Sequence, residues 1–159
     1  MSMFCFQCQE TAKGTGCTIA GVCGKNEKVA NMQDLLIYVL KGISIYSTKS
    51  RELGIENEVV NKFVFDGLFM TITNANFDYD RFVEKIREGL KLRDEVKAAY
   101  LKAGGKLPEN LHESATWTGN SVGEFEAKNN SVGVLATENE DVRSLRELVI
   151  YGVKGMAAY

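Results

Sequence analysis

Four cysteines, Cys5, Cys8, Cys17 and Cys23, stand near the start of the chain in the pattern Cys-x2-Cys-x8-Cys-x5-Cys, and no other cysteine follows. Thiolates act as nucleophiles, disulfide partners or metal ligands, and four of them this close together point to one shared partner. A disulfide framework belongs to small secreted chains that cannot build a core. This chain has 159 residues, 45% of them hydrophobic. Structural zinc takes four tetrahedral ligands, usually from two separated Cys-x2-Cys knuckles, and only Cys5 and Cys8 form such a knuckle here. An iron–sulfur cube suits one tight pair followed by ligands delivered singly by a glycine-rich wrap. Gly14, Gly16, Gly21 and Gly24 flank Cys17 and Cys23 in that way. The spacing favours the cube, with a zinc-stabilised module and a disulfide framework as competing readings. Phe4, Phe6, Ile19 and Val22 are expected either to keep water from the thiols or simply to pack.

The remaining chemical candidates are thinner. His112, the single histidine, stands near Pro108 and Glu109 with no ligand cluster around it, and reads as a surface residue. Glu138, Glu140 and Asp141 form an acidic run, but negative charge at the start of a helix complements the helix dipole without any catalytic role. Gly14-Thr-Gly16 lacks the lysine and the spacing of a phosphate-binding loop. Trp117 and the other aromatics read as core anchors. No catalytic residue is expected in this chain, and its job would be binding and electron transfer.

A net charge of -2 and a pI of about 5.5 exclude the basic footprint that nucleic acid requires. The longest apolar runs, Leu35 to Leu40 and Leu148 to Val153, fall far short of the roughly 20 residues that cross a bilayer. The opening Met-Ser-Met-Phe-Cys lacks the charged and apolar regions of a secretory signal, so the expected compartment is the cytoplasm.

The elements that must position the cysteines follow from periodicity. Residues 1–25 read as a cysteine-rich, cluster-binding loop and 26–159 as a helical-bundle domain. Val29, Met32, Leu35, Leu36, Val39, Leu40 and Ile43 recur at helical steps, predicting a helix from Asn26 to about Leu53, stopped by Gly54. A second helix is expected from about Glu56 to Thr73, broken by Asn74-Ala-Asn76. A third, capped by Asp78, should run to Gly104-Gly105. Lys106 to Asn130 reads as a long connection with a short helix opened by the Ser121-x-x-Glu124 box. Ser131 to Ala136 could be a short buried strand or an extended segment, and Thr137-x-x-Glu140 is expected to cap a final helix. The fold expected is all-α: a bundle of three long helices plus a returning helix, with the cysteine loop at its N-terminal end.

One helix pattern occurs twice. Asp34-Leu-Leu-Ile-Tyr-Val-Leu-Lys-Gly-Ile-Ser-Ile-Tyr46 and Glu147-Leu-Val-Ile-Tyr-Gly-Val-Lys-Gly-Met-Ala-Ala-Tyr159 agree at Leu35/Leu148, Ile37/Ile150, Tyr38/Tyr151, Lys41/Lys154, Gly42/Gly155 and Tyr46/Tyr159, which suggests a duplicated helical unit. The second copy ends at Tyr159 without the usual helix stop signals, so a longer protein, truncated here, is expected.

Read with its surroundings, the motif Met3-Phe-Cys-Phe-Gln-Cys-Gln-Glu-Thr-Ala-Lys-Gly-Thr-Gly-Cys17, then Gly21-Val-Cys23-Gly-Lys, resembles the N-terminus of the hybrid-cluster (prismane) proteins. Gln33-Asp-Leu-Leu-Ile37, Gly67 to Asn76, Ala115-Thr-Trp-Thr-Gly119 and Leu135 to Glu147 agree as well, so the likeness covers nearly the whole chain. It implies that Cys5, Cys8, Cys17 and Cys23 ligate a cubane cluster, of the 4Fe-4S form given the close spacing. It also implies an electron-relaying role in a hydroxylamine reductase, which makes ammonia and water with two electrons and two protons at a second, hybrid iron–sulfur–oxygen cluster. The ligands of that second cluster would lie beyond Tyr159, since no cysteine follows Cys23. The implied partners are the remainder of the same protein, an external electron donor, and hydroxylamine or a related small nitrogen oxide. The readings from another class are a stand-alone iron–sulfur carrier and a zinc-stabilised helical interaction module.

Overall fold

The computed structural model describes residues 3–8, 10–72 and 75–159. Its axis is α1 (Glu27–Glu52), which starts where the Asn26 side chain accepts the Val29 N–H and where Glu27 complements the dipole. From Leu35 to Leu40 every residue is buried. A helix apolar on all sides must be surrounded, and α1 is covered by α2 (Glu58–Met70), α3 (Tyr79–Lys102), α4 (Val122–Asn129) and a 3-10 turn at Glu113–Ala115. α3 supplies Phe82, Val83, Ile86, Leu90 and Val96 to the shared core. Asn57 caps α2, Asp78 caps α3, and Ser121 with Glu124 forms the reciprocal box that opens α4. The last helix, α5 (Glu140–Ala158), packs against α2.

The architecture is therefore the expected all-helical bundle, with no strand among the described residues. α2 is shorter than expected, starting at Glu58 and ending at Met70; the expected limit at Thr73 and the Asn74 stop lie outside the described residues. Ser131 to Ala136 is neither strand nor buried. It bends into a 3-10 turn at Val134–Ala136. Thr137 does not cap α5; Asn139 does, its side chain accepting the Val142 N–H, because the chain first becomes helical at Glu140.

The long connection after α3 is held by buried polar groups. Arg93, almost fully enclosed, pairs with Asp94 at 2.7 Å and donates to the carbonyls of Ser114 and Trp117. The Tyr46 hydroxyl donates to the Ala115 carbonyl at 3.0 Å. This connection can approach α1 only because residue 42 is glycine: a Cβ there would lie 2.1 Å from the Ser114 carbonyl oxygen. Trp117 packs edge-on against Tyr38 and tilted against Phe125, as an anchor.

Candidate metal centre

The cysteine loop folds back on itself before it meets α1. The Cys5 N–H donates to the Cys17 carbonyl at 3.0 Å and the Cys17 N–H donates to the Cys5 carbonyl at 2.9 Å, so the two residues stand side by side. A 3-10 turn at Ala12–Gly14 reverses the chain between them. Gly16 takes a φ of +129°, and a Cβ there would meet the Phe4 ring at 2.6 Å. Cys5 and Cys17 are buried with Met3 and Ala30 in a small second core, while Cys8 and Cys23 are half-buried, and all four are free thiols.

Donors converge on the inner sulfurs. Cys17 Sγ accepts the Ala12 N–H at 3.4 Å and lies 3.6 Å from the Thr11 hydroxyl. Burial opposes ionisation of Cys17, but the N–H groups of Ala12 and Val22, the Thr11 hydroxyl and the Lys25 charge together bring its thiol below the ordinary range. For Cys5 burial wins and its thiol is pushed up, against the pull of Lys25 and of the Gln7 N–H. The Lys25 ammonium donates to Cys5 Sγ at 3.9 Å and to Gln7 Oε1 at 2.9 Å, and Gln7 Nε2 donates to Asp34 Oδ1 at 2.6 Å. This chain of bonds fastens the loop to α1.

Across the same cluster, α5 contributes Lys154, which is buried and faces Asp34, Lys25, Cys5 and Glu147. Burial pushes Asp34 up to about 6, against the Gln7 bond and the charges of Lys154 and Lys25, with Glu147 adding to the rise. Burial likewise pulls Lys154 down to about 8.

Four free thiols on one loop, with an N–H donor aimed at Cys17 and an ammonium donor at Cys5, make a donor set suited to an anionic thiolate-bound iron–sulfur group. Among the described residues no three His, Cys, Asp or Glu side chains gather tightly enough to hold a single ion. A zinc ion needs four thiolates in one tetrahedron.

The apolar screen expected around the thiols is only partly there. Phe4 is half-buried, but Ile19 and Val22 face solvent and Phe6 is exposed, because the loop packs through Met3, Cys5 and Cys17 instead. His112 is exposed; its Nδ1 caps the 3-10 turn by accepting the Ser114 N–H, and its ring leans on Tyr38. Glu140 and Asp141 sit in the first turn of α5, where the dipole alone accounts for them. Sequence reasoning missed the polar set of buried Lys25 and Lys154 with half-buried Asp34. An acidic residue directly before the apolar run of α1 and a lysine directly after that of α5 were its available signals.

Comparison with known proteins agrees with this picture. The chain is 72% identical over its whole length to a hydroxylamine reductase of Desulfitobacterium hafniense, spanning 29% of that protein. It is 60% identical over its whole length to one of Clostridium novyi, again 29% of the relative. With one from Clostridium tetani the identity is 52% over all of this chain and 32% of the relative. The chain thus spans about a third of the length of these curated relatives. The family model for the Prismane/CO dehydrogenase family matches residues 3–159, and the chain belongs to that family.

Proposed function

We propose that Cys5, Cys8, Cys17 and Cys23 hold a 4Fe-4S cluster and that this chain is the N-terminal, electron-relaying part of a hydroxylamine reductase. The unit that binds the cluster is the loop 1–25; the helices of 26–159 form the bundle that carries it. The observation that carries this reading is the loop itself: four free thiols, two of them locked by paired backbone bonds and supplied with N–H and ammonium donors. A disulfide framework has no support in those four free thiols, and they suit a reducing compartment such as the cytoplasm. No helix among the described residues is long and apolar enough to cross a membrane.

When bound, such a cluster supplies one-electron transfer. The chain's own residues do the rest. Four thiolates bind, the Cys5–Cys17 pairing fixes two sulfurs, the small core around Met3 and Ala30 excludes water from them, and Lys25 and the Ala12 N–H stabilise negative charge on sulfur. The reaction served would be hydroxylamine plus two protons and two electrons giving ammonia and water, with electrons from an external one-electron donor. The hybrid cluster that performs it would belong to the remainder of the full-length protein. The face left for that remainder is α5, where Leu145, Leu148, Val149 and Met156 are exposed, and a groove of about 1020 Å³ separates α5 from α1. Contiguous apolar surface of this kind marks an interface.

Oxygen-free reconstitution with ferrous iron and sulfide tests the reading. About four irons per chain and a broad visible absorption that bleaches with dithionite are expected, both lost on replacing the cysteines by alanine. A colourless sample, or one that prefers a single zinc, overturns it.

A further inference from the structure

We infer that Lys25, seconded by Lys154, sets the reduction potential of the cluster held at Cys5, and that Gln7 and Asp34 are the residues that hold Lys25 in place. The inference rests on the cluster reading proposed above. Lys25 is 2% exposed and Lys154 4%, so both charged side chains lie in the interior beside a cysteine loop. Burying an ammonium is costly unless an anion or a set of acceptors meets it. Around the two lysines stand the Gln7 amide and two carboxylates, Asp34 on α1 and Glu147 on α5. Lys25 spends one N–H on Gln7 Oε1 at 2.9 Å and directs another at Cys5 Sγ at 3.9 Å.

No surface role accounts for that arrangement. A lysine needed only for solubility would sit in water, and one needed only for packing would be replaced by methionine or leucine at lower cost. A buried ammonium directed at a sulfur, with a second buried lysine on the neighbouring helix, is, however, what an anionic cluster requires on one side. A hydrogen bond to sulfur and a nearby positive charge both favour the state that has gained an electron, so they raise the potential. Gln7 lies between the first two cysteines and bridges Lys25 to Asp34 on α1. Lys25 is therefore oriented from both sides. Lys154 arrives from the far end of the chain, which ties the electrostatics of the loop to the seating of α5.

The test uses the 159-residue chain, which has no other cysteine and so no second cluster to confuse the signal. Wild type, Lys25→Met, Lys25→Arg and Lys154→Met are reconstituted without oxygen using ferrous iron and sulfide. Iron is counted, and the midpoint is read by dithionite titration. The expected result is a full iron complement in Lys25→Met with a midpoint more negative than wild type, recovery toward wild type in Lys25→Arg, and a smaller shift of the same sign in Lys154→Met. A merely structural lysine would alter iron retention or melting but leave the midpoint alone. Iron-loaded Lys25→Met with an unmoved midpoint overturns the inference and leaves the cluster reading standing. Should Lys25→Met take up no iron, Lys154→Met decides: a negative shift upholds the inference and no shift overturns it. Wild type that takes up no iron overturns the cluster reading, and this inference with it.

Discussion

The segments 34–46 and 147–159 carry matching residues at six positions and meet opposite fates. In α1, Leu35, Ile37, Tyr38, Gly42 and Tyr46 are buried and Lys41 is exposed; in α5, Leu148 is 67% exposed, Tyr151 and Gly155 face solvent, and Lys154 is buried. The same pattern thus gives a central core helix in one place and an outer helix in the other. Helical periodicity creates an apolar face but does not name its partner. The two copies still address each other: Asp34 faces Lys154 while Glu147 faces Lys41, so the acidic position of each copy looks at the lysine position of the other. Such reciprocity is what two related helices running antiparallel would produce.

Matched substitutions can break this contrast. Leu35→Ala should lower stability by about 2–5 kcal/mol through a core cavity, and Leu148→Ala by no more than about 0.5 kcal/mol, both read by chemical denaturation. Gly42→Ala should cost about 1–3 kcal/mol, because its Cβ would collide with the Ser114 carbonyl. Gly155→Ala, whose Cβ would meet nothing, should be neutral or gain about 0.5–1 kcal/mol from helix propensity. Tyr46→Phe leaves the buried Ala115 carbonyl without its donor and should cost about 1 kcal/mol, whereas Tyr159→Phe should be silent. Equal losses in either copy of any pair would dissolve the comparison.

The buried charges sharpen it through pH. Facing Asp34 are Gln7 and Lys25 from the loop and Lys154 and Glu147 from α5. Its carboxyl, raised by burial to about 6, binds more protons folded than unfolded, so the stability it contributes is present below about pH 4 and is lost as pH rises through 6. Asp34→Asn should flatten that slope in a series of melts. Lys154, lowered to about 8 by burial, works the other way: its contribution is present above about pH 10.4 and lost as pH falls through 8. Lys154→Met should remove the alkaline rise.

Much of the fold was legible because local signals sufficed. Asn26, Asp78 and the Ser121–Glu124 box mark helix starts that the structure keeps. Thr137 failed as a cap although its spacing to Glu140 was right, since Asn139 lies nearer and its side chain reaches the Val142 N–H. At the candidate site the four cysteines were readable from spacing alone, and Lys25 lies two residues beyond Cys23. That Ile19 and Val22 would face water was not readable, because an irregular loop has no periodicity to assign sides.

By itself the sequence determined which stretches are helical, where most of them start, and that four cysteines fall within one short segment, because capping and periodicity act over a few residues. Only the tertiary structure decided which copy of the repeated helix is enclosed, and that Lys154 is buried while its counterpart Lys41 is exposed. Burial is a property of what surrounds a residue, and those surroundings are assembled from distant parts of the chain.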